Sequence, residues 1–122
     1  MGNPRLLLDQ LVGHCIGVGN PSMPLMSEGR FPKNWASEYE ALLRRAEVEW
    51  SDAETWPREL VGCLYFVSTI LPTRYELWVR THGKRHEPTN RALGSLAVRS
   101  RLFLLRGLPK SEVEEVELES VT

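Results

Sequence analysis

Three arrangements bring chemistry-bearing side chains close together along the 122-residue chain. His82 and His86 stand four apart, the spacing at which two imidazoles on one helix face can hold zinc. Gly83, Lys84 and Arg85 lie between them, the two positive charges oppose a cation, Pro88 follows, and no third ligand is near. The pair is read as a solvated turn, and no metal is expected. His14 beside Cys15 offers a base and a nucleophile, but adjacent residues on a helix point about 100° apart. A thiol also needs an electropositive, accessible setting to react.

Gly13, Gly17 and Gly19 suggest a phosphate loop. They follow an expected helix and precede none, which reverses the strand, loop, helix order that a nucleotide loop needs. A helix stop is the better reading. Glu38, Glu47, Glu49, Asp52 and Glu54 could supply paired carboxylates for acid-base work or a di-metal site, but no Glu-x-x-His pair occurs among them. They are read as a solvated face. No catalytic residue, cofactor or metal ligand is assigned, and the chain is expected to be non-enzymatic.

The strongest signal is the sorting of charge. Residues 74–110 carry nine basic side chains against Glu76 and Glu87, while residues 111–122 hold five glutamates and no base, so a formal net charge of −1 conceals an internal dipole. Such a distribution speaks to partners rather than to fold. Arg91, Arg99 and Arg106 fall on one side of an expected last helix, with Lys84 and Arg85 just before it. Together with Arg74, Arg80 and Trp78, read as a surface anchor, these residues form the candidate partner-binding face. The bland alternative is that the arginines are solvated and balanced by the glutamates of a neighbouring helix.

The elements that would position this face follow from periodicity. A length of 122 residues, 42% of them hydrophobic and 25% charged, fits one ordinary globular domain able to bury its own core. Asn3 and Pro4 start a first helix with Leu7, Leu8, Leu11, Val12 and Cys15 on one face. Residues 17–33, broken by Gly17, Gly19, Pro21, Pro24, Gly29 and Pro32, form a long loop held down by Met23, Leu25, Met26 and Phe31. Asn34 caps a second helix, whose apolar face is Trp35, Tyr39, Leu42, Leu43, Ala46 and Trp50. Ser51 to Glu54 has the form of a capping box, so a third helix is expected to begin between Ser51 and Pro57. Its body, Leu60 to Leu71, is apolar nearly all round, as an enclosed central helix would be, although its β-branched and aromatic content also suits a buried strand.

Pro72 kinks or breaks the pattern, and residues 60–82 as a whole are open to helix or strand. Gly83 to Thr89 reads as a basic loop, and Asn90 caps a last helix with Leu93, Leu96, Ala97, Ser100 and Leu104 inward, ended by Gly107 and Pro109. Trp35, Trp50 and Trp56 are read as core.

The expected fold is all-α: a compact bundle of four to five helices, with a long ordered loop at about 17–33 and an acidic C-terminal tail. Residues 1–109 make one helical domain. Residues 110–122 make the tail, disordered or a short helix, which by its sign can lie across the basic stripe. Cys15 and Cys63 lie in apolar runs and are read as buried thiols of a reducing compartment rather than a secreted disulfide framework. The N-terminal apolar run is too short for a signal peptide, the myristoylation pattern fails at Leu6, and no stretch is long enough to span a bilayer. A cytoplasmic protein without membrane contact is expected.

Two functions fit these features. The first is a small interaction protein, an accessory subunit or an immunity-like or antitoxin-like neutralising partner, that covers an acidic protein surface. A homo-oligomer is compatible with it. The alternative is a helical nucleic-acid-contacting subunit of a nucleoprotein assembly, with Tyr75 or Trp78 stacking on bases.

Overall fold

The computed structural model describes residues 3–107, and every regular element among them is helical. Six α-helices follow in order: α1 (Pro4–Cys15), α2 (Ser22–Ser27), α3 (Trp35–Trp50), α4 (Arg58–Tyr65), α5 (Leu71–His82) and α6 (Glu87–Arg106). A π-helical turn, Phe66–Ile70, joins α4 to α5 without a break. None of the described helices is long and apolar enough to cross a membrane. The acidic tail expected at 110–122 lies outside the described residues.

The first helix forms as its sequence dictates. The Asn3 side chain accepts from the Arg5 and Leu6 amides, Pro4 occupies the first turn where no amide is needed, and Leu7, Leu8, Leu11 and Cys15 are buried. Its end is closed mainly by backbone, with the amides of Ile16 and Gly17 both reaching the Val12 carbonyl and that of Gly19 reaching Gly13. These glycines are therefore a helix stop, with their amides already committed.

The long loop is shorter than its punctuation suggests, because α2 forms inside it. Leu25 is buried there and Phe31 is partly buried, whereas Met23 and Met26 stay exposed and do not anchor the segment. The anchor is Trp35, whose indole N–H is shared between the carbonyls of His14 (3.0 Å) and Gly19 (2.9 Å). Its ring stacks with His14, Phe31 and Tyr39 at centroid distances of 4.7, 4.9 and 5.3 Å. One residue at the head of α3 thus fixes the end of α1, the loop and α3 together.

Three expected caps are not used. Asn34 is left-handed (φ 64°) and its side chain caps nothing. Ser51 continues the α3 backbone, and α4 starts only at Arg58, so the Ser51 to Glu54 pattern is a turn. Asn90 lies inside α6, which begins at Glu87 with Pro88 in its first turn. In each case the neighbouring apolar residues decide where the helix runs, and a polar side chain of capping type simply follows.

Residues 60–82 are helical throughout. Pro72 cannot donate to the preceding turn and its ring crowds a carbonyl four residues back, which normally kinks a helix. Here the chain widens just before it: the Leu71 amide bonds five residues back to Phe66, and the Thr73 hydroxyl returns to the Thr69 carbonyl at 3.0 Å. The expected all-round enclosure is not found, since Val61 and Tyr65 face outward. Leu60, Cys63, Leu64, Val67 and Leu71 form the buried side, packed against α1 and α6.

α1 and α3 are antiparallel, as the pairs Gln10–Arg45 and His14–Glu38 require. α5 and α6 form an antiparallel hairpin clasped by the Tyr75 hydroxyl, which accepts from the His86 amide at 3.0 Å. The inward residues of α6 are Leu93, Leu96, Ser100 and Phe103, with Ala97 and Leu104 only partly covered. Trp56 leans on Phe103 at 4.6 Å. Deep in the core the Tyr39 hydroxyl pairs with Ser100 Oγ at 2.7 Å, joining α3 to α6.

Two experiments test this core. Gly29 is left-handed (φ 70°) and a Cβ there would run into the Trp78 indole, so Gly29→Ala should destabilise by roughly 1–3 kcal/mol in chemical denaturation. Tyr39→Phe strands the buried Ser100 hydroxyl and should cost about 1–2 kcal/mol, while Ser100→Ala in the same chain should recover part of that loss. Strict additivity of the two changes would contradict the pairing.

Candidate functional site

The eight residues assigned to a partner-binding face divide into three groups once the helices are placed. Trp78 belongs to the core: it is 6% exposed, stacks with Tyr75 and His82, and lies against Gly29 of the loop. Its expected role as a surface anchor is therefore overturned. The segment around it is a helix, and position 78 falls on the face that α2 covers.

Two arginines are consumed by ion pairs. Arg99, partly buried, reaches Glu47 at 2.6 Å and Glu40 at 3.4 Å on α3. The balancing of α6 charge by α3 glutamates thus holds for this residue. Glu40 is held below the usual carboxylate range by Arg44 first and by Arg99 second. Arg85 makes a two-pronged pair with Glu76 (2.6 and 3.2 Å) and also reaches Asn90 Oδ1 at 3.1 Å. The pair raises the Arg85 pKa, with the Glu76 hydrogen bond as the main cause. It closes the α5–α6 turn and leaves Arg85 with structural work.

Arg74, Arg80, Lys84, Arg91 and Arg106 make no ion pair among the described residues. They do not form one stripe. Arg91 and Arg106 are separated by about 22 Å along α6 at 1.5 Å per residue, and Arg99 between them is turned toward α3. The coherent set is on α5 and the turn after it. Half-buried Arg74, on the flank beside α2, and exposed Leu77, Arg80 and Thr81 recur at helical spacing along α5, and Lys84 follows the left-handed Gly83 that ends the helix.

That surface also has apolar content which the sequence alone did not reveal. Leu77 is 45% exposed, and α2, packed on α5, adds Met23 at 72% and Met26 at 38%. Met26 Sδ lies 3.9 Å from Arg74 Nη1, so methionine and arginine share one patch. Their spacing in sequence gave no warning, because both methionines sit in a segment read as a loop pinned down by them. The acidic residues nearby in sequence are Glu28, Glu76 and Glu87, of which Glu76 is taken by Arg85.

The histidines are occupied structurally. A His82 ring nitrogen meets the Trp78 carbonyl at 3.0 Å, one of His86 meets Thr89 Oγ1 at 2.8 Å, and His14 Nε2 meets the Trp35 carbonyl at 2.9 Å. No group of three or more potential metal ligands occurs among the described residues. A groove of about 700 Å³ runs between the start of α1 and the end of α3, lined by Leu7, Arg44, Arg45, Val48 and Glu49, and none of the eight assigned residues borders it.

The division between engaged and unengaged cations can be measured. Arg99→Glu places a third carboxylate beside Glu40 and Glu47 and should lower stability by about 1–3 kcal/mol, whereas Arg80→Glu should stay within about 0.5 kcal/mol of the parent. Equal effects in urea denaturation would remove the distinction. The chain matches no protein-family model, no curated protein and no solved structure.

Proposed function

We propose that this is a small cytosolic, non-enzymatic interaction protein, an accessory subunit or a neutralising partner of the immunity or antitoxin kind. It covers an acidic protein surface with the outward face of α5 and the turn that follows. The observation that carries this reading is the combination, on one face, of unengaged cations (Arg74, Arg80, Lys84) with exposed apolar side chains (Met23, Met26, Leu77). Charge provides steering and partner choice, while desolvated apolar area provides most of the affinity. Methionine suits such a surface because its unbranched, polarisable side chain adapts to the partner's shape.

The nucleic-acid alternative is less well served. It needs aromatic rings free to stack on bases, and Tyr75 and Trp78 are both buried. That reading loses both rings assigned to stacking, the exposed ring of Tyr65 lies on α4 outside the basic run, and the formal net charge of the chain is −1.

The test is affinity capture from the native cell with the unmodified chain, with a triple reversal (Arg74→Glu, Arg80→Glu, Lys84→Glu), and with Arg58→Glu as a control on α4. The proposal expects a partner retained by the parent and by the control and lost by the triple variant. Equal recovery by all three would sink it. Binding of duplex or single-stranded nucleic acid that weakens by orders of magnitude between low and moderate salt would favour the alternative instead.

A further inference from the structure

Two contacts gather the end of α6 and the starts of α4 and α1 at one end of the bundle. Gly107, just past α6, lies so close to Trp56 that a Cβ there would meet the indole at 2.8 Å. Trp56 stands two residues before α4, and Glu59 in the first turn of that helix pairs with Arg5 in the first turn of α1 at 2.9 Å. The groove of about 700 Å³ between the start of α1 and the end of α3 opens at this same end. Lys84 stands before the start of α6, and 20 residues of helix, about 30 Å, separate it from Gly107. The chain therefore passes Gly107 beside the groove and far from the turn that completes the basic face.

The groove is suited to an acidic, partly apolar segment. Val48, 85% exposed, lines one wall, with Pro4 on the other. Arg44 and Arg45 lie on the Val48 side, against a single lining carboxylate, Glu49. Arg45 reaches Gln10 Oε1 at 3.1 Å and no carboxylate among the described residues. Arg44 pairs with Glu40 at 2.7 Å, but the pair is open to solvent and Glu40 also serves Arg99, so Arg44 is weakly held.

Residues 108–122 lie outside the described ones, and their sequence matches the groove in both respects. Five glutamates alternate there with Val113, Val116, Leu118 and Val121, against one base, Lys110. Extended at about 3.3 Å per residue, the segment reaches roughly 50 Å from Gly107. A tethered segment meets a nearby site at an effective concentration on the order of millimolar, and that advantage falls as the span grows.

We propose that residues 112–121 seat in the α1–α3 groove of their own chain, with glutamates against Arg44 and Arg45 and valines against Val48 and Pro4. Charge alone would send this segment across the basic stripe, whereas the position of Gly107 brings it to the groove first. Seated there, it leaves Arg74, Arg80 and Lys84 uncovered, so the acidic segment and the basic face of one chain do not neutralise each other.

The experiment attaches a nitroxide to the full chain through Ser120→Cys, Cys15 and Cys63 being buried, and reads paramagnetic relaxation of the backbone amides. The expected result is a several-fold larger enhancement at residues 3–7 and 44–49 than at residues 74–84. A maximum at residues 74–84 would put the segment on the basic face and overturn the proposal. A maximum at exposed Val98 and Leu102 of α6, or an even and weak enhancement, would overturn it equally. So would enhancement on an isotope-labelled chain without nitroxide mixed with one that carries it, because a second copy would then supply the segment. Arg44→Glu with Arg45→Glu should reduce the enhancement at residues 3–7 several-fold, and Glu114→Arg, Glu115→Arg and Glu117→Arg in that background should restore it. Unchanged enhancement in the double variant would remove the charge match and the proposal with it. None of these readings depends on what the α5 surface binds, so the two proposals stand or fall separately.

Discussion

The structure depends first on how Trp35 is held. Its indole N–H is a single donor serving two carbonyls, that of His14 at the end of α1 and that of Gly19 in the loop, while the ring is stacked by side chains from α1, the loop and α3. A buried indole donor left unpaired would be costly, and here it is satisfied by the backbone groups that an interrupted helix leaves over. Tyr39, one turn further along α3, extends the same connection to α6 through Ser100. A polar thread therefore runs through an otherwise apolar core, and it fixes the register in which the helices meet.

Where the sequence was legible, it was so because one physical rule dominated. The apolar periodicity of α1 and α3 is a local property that burial then exploits, and Asn3 with Pro4 marks a start with no competing signal. Caps were misread where local and tertiary preferences disagreed. Asn34 adopts a left-handed turn that sets the entry of Trp35, and the Ser51 to Glu54 pattern falls behind a helix whose apolar face already ends at Trp50. Trp78 was misplaced for a related reason: Arg80 is on the opposite side of its helix, Arg74 one turn back is itself half-buried, and the glycine that makes room for the indole is almost fifty positions away.

The candidate surface was legible in outline and not in membership. A run of basic residues is visible in one dimension, but whether each cation is engaged depends on carboxylates delivered by other helices. Arg99 and Arg85 illustrate the point, one satisfied by α3 and the other by α5. What is left after this internal pairing is smaller than the run and displaced toward α5. It is also mixed with Met23 and Met26, expected to pin the loop, and with Leu77.

The α5–α6 hairpin is clasped by contacts between residues only 9 and 11 positions apart, whereas Arg5 meets Glu59 and Tyr39 meets Ser100 across separations of 54 and 61. Closing a short segment costs less chain entropy than closing a long one, so local pairings form early and distant ones late. The hairpin carrying the basic face can therefore assemble while the rest of the chain is still searching. The meeting of α1 with α4, which the Arg5–Glu59 pair spans across 54 positions, carries the larger closure cost, so that pair is a marker of a completed native state.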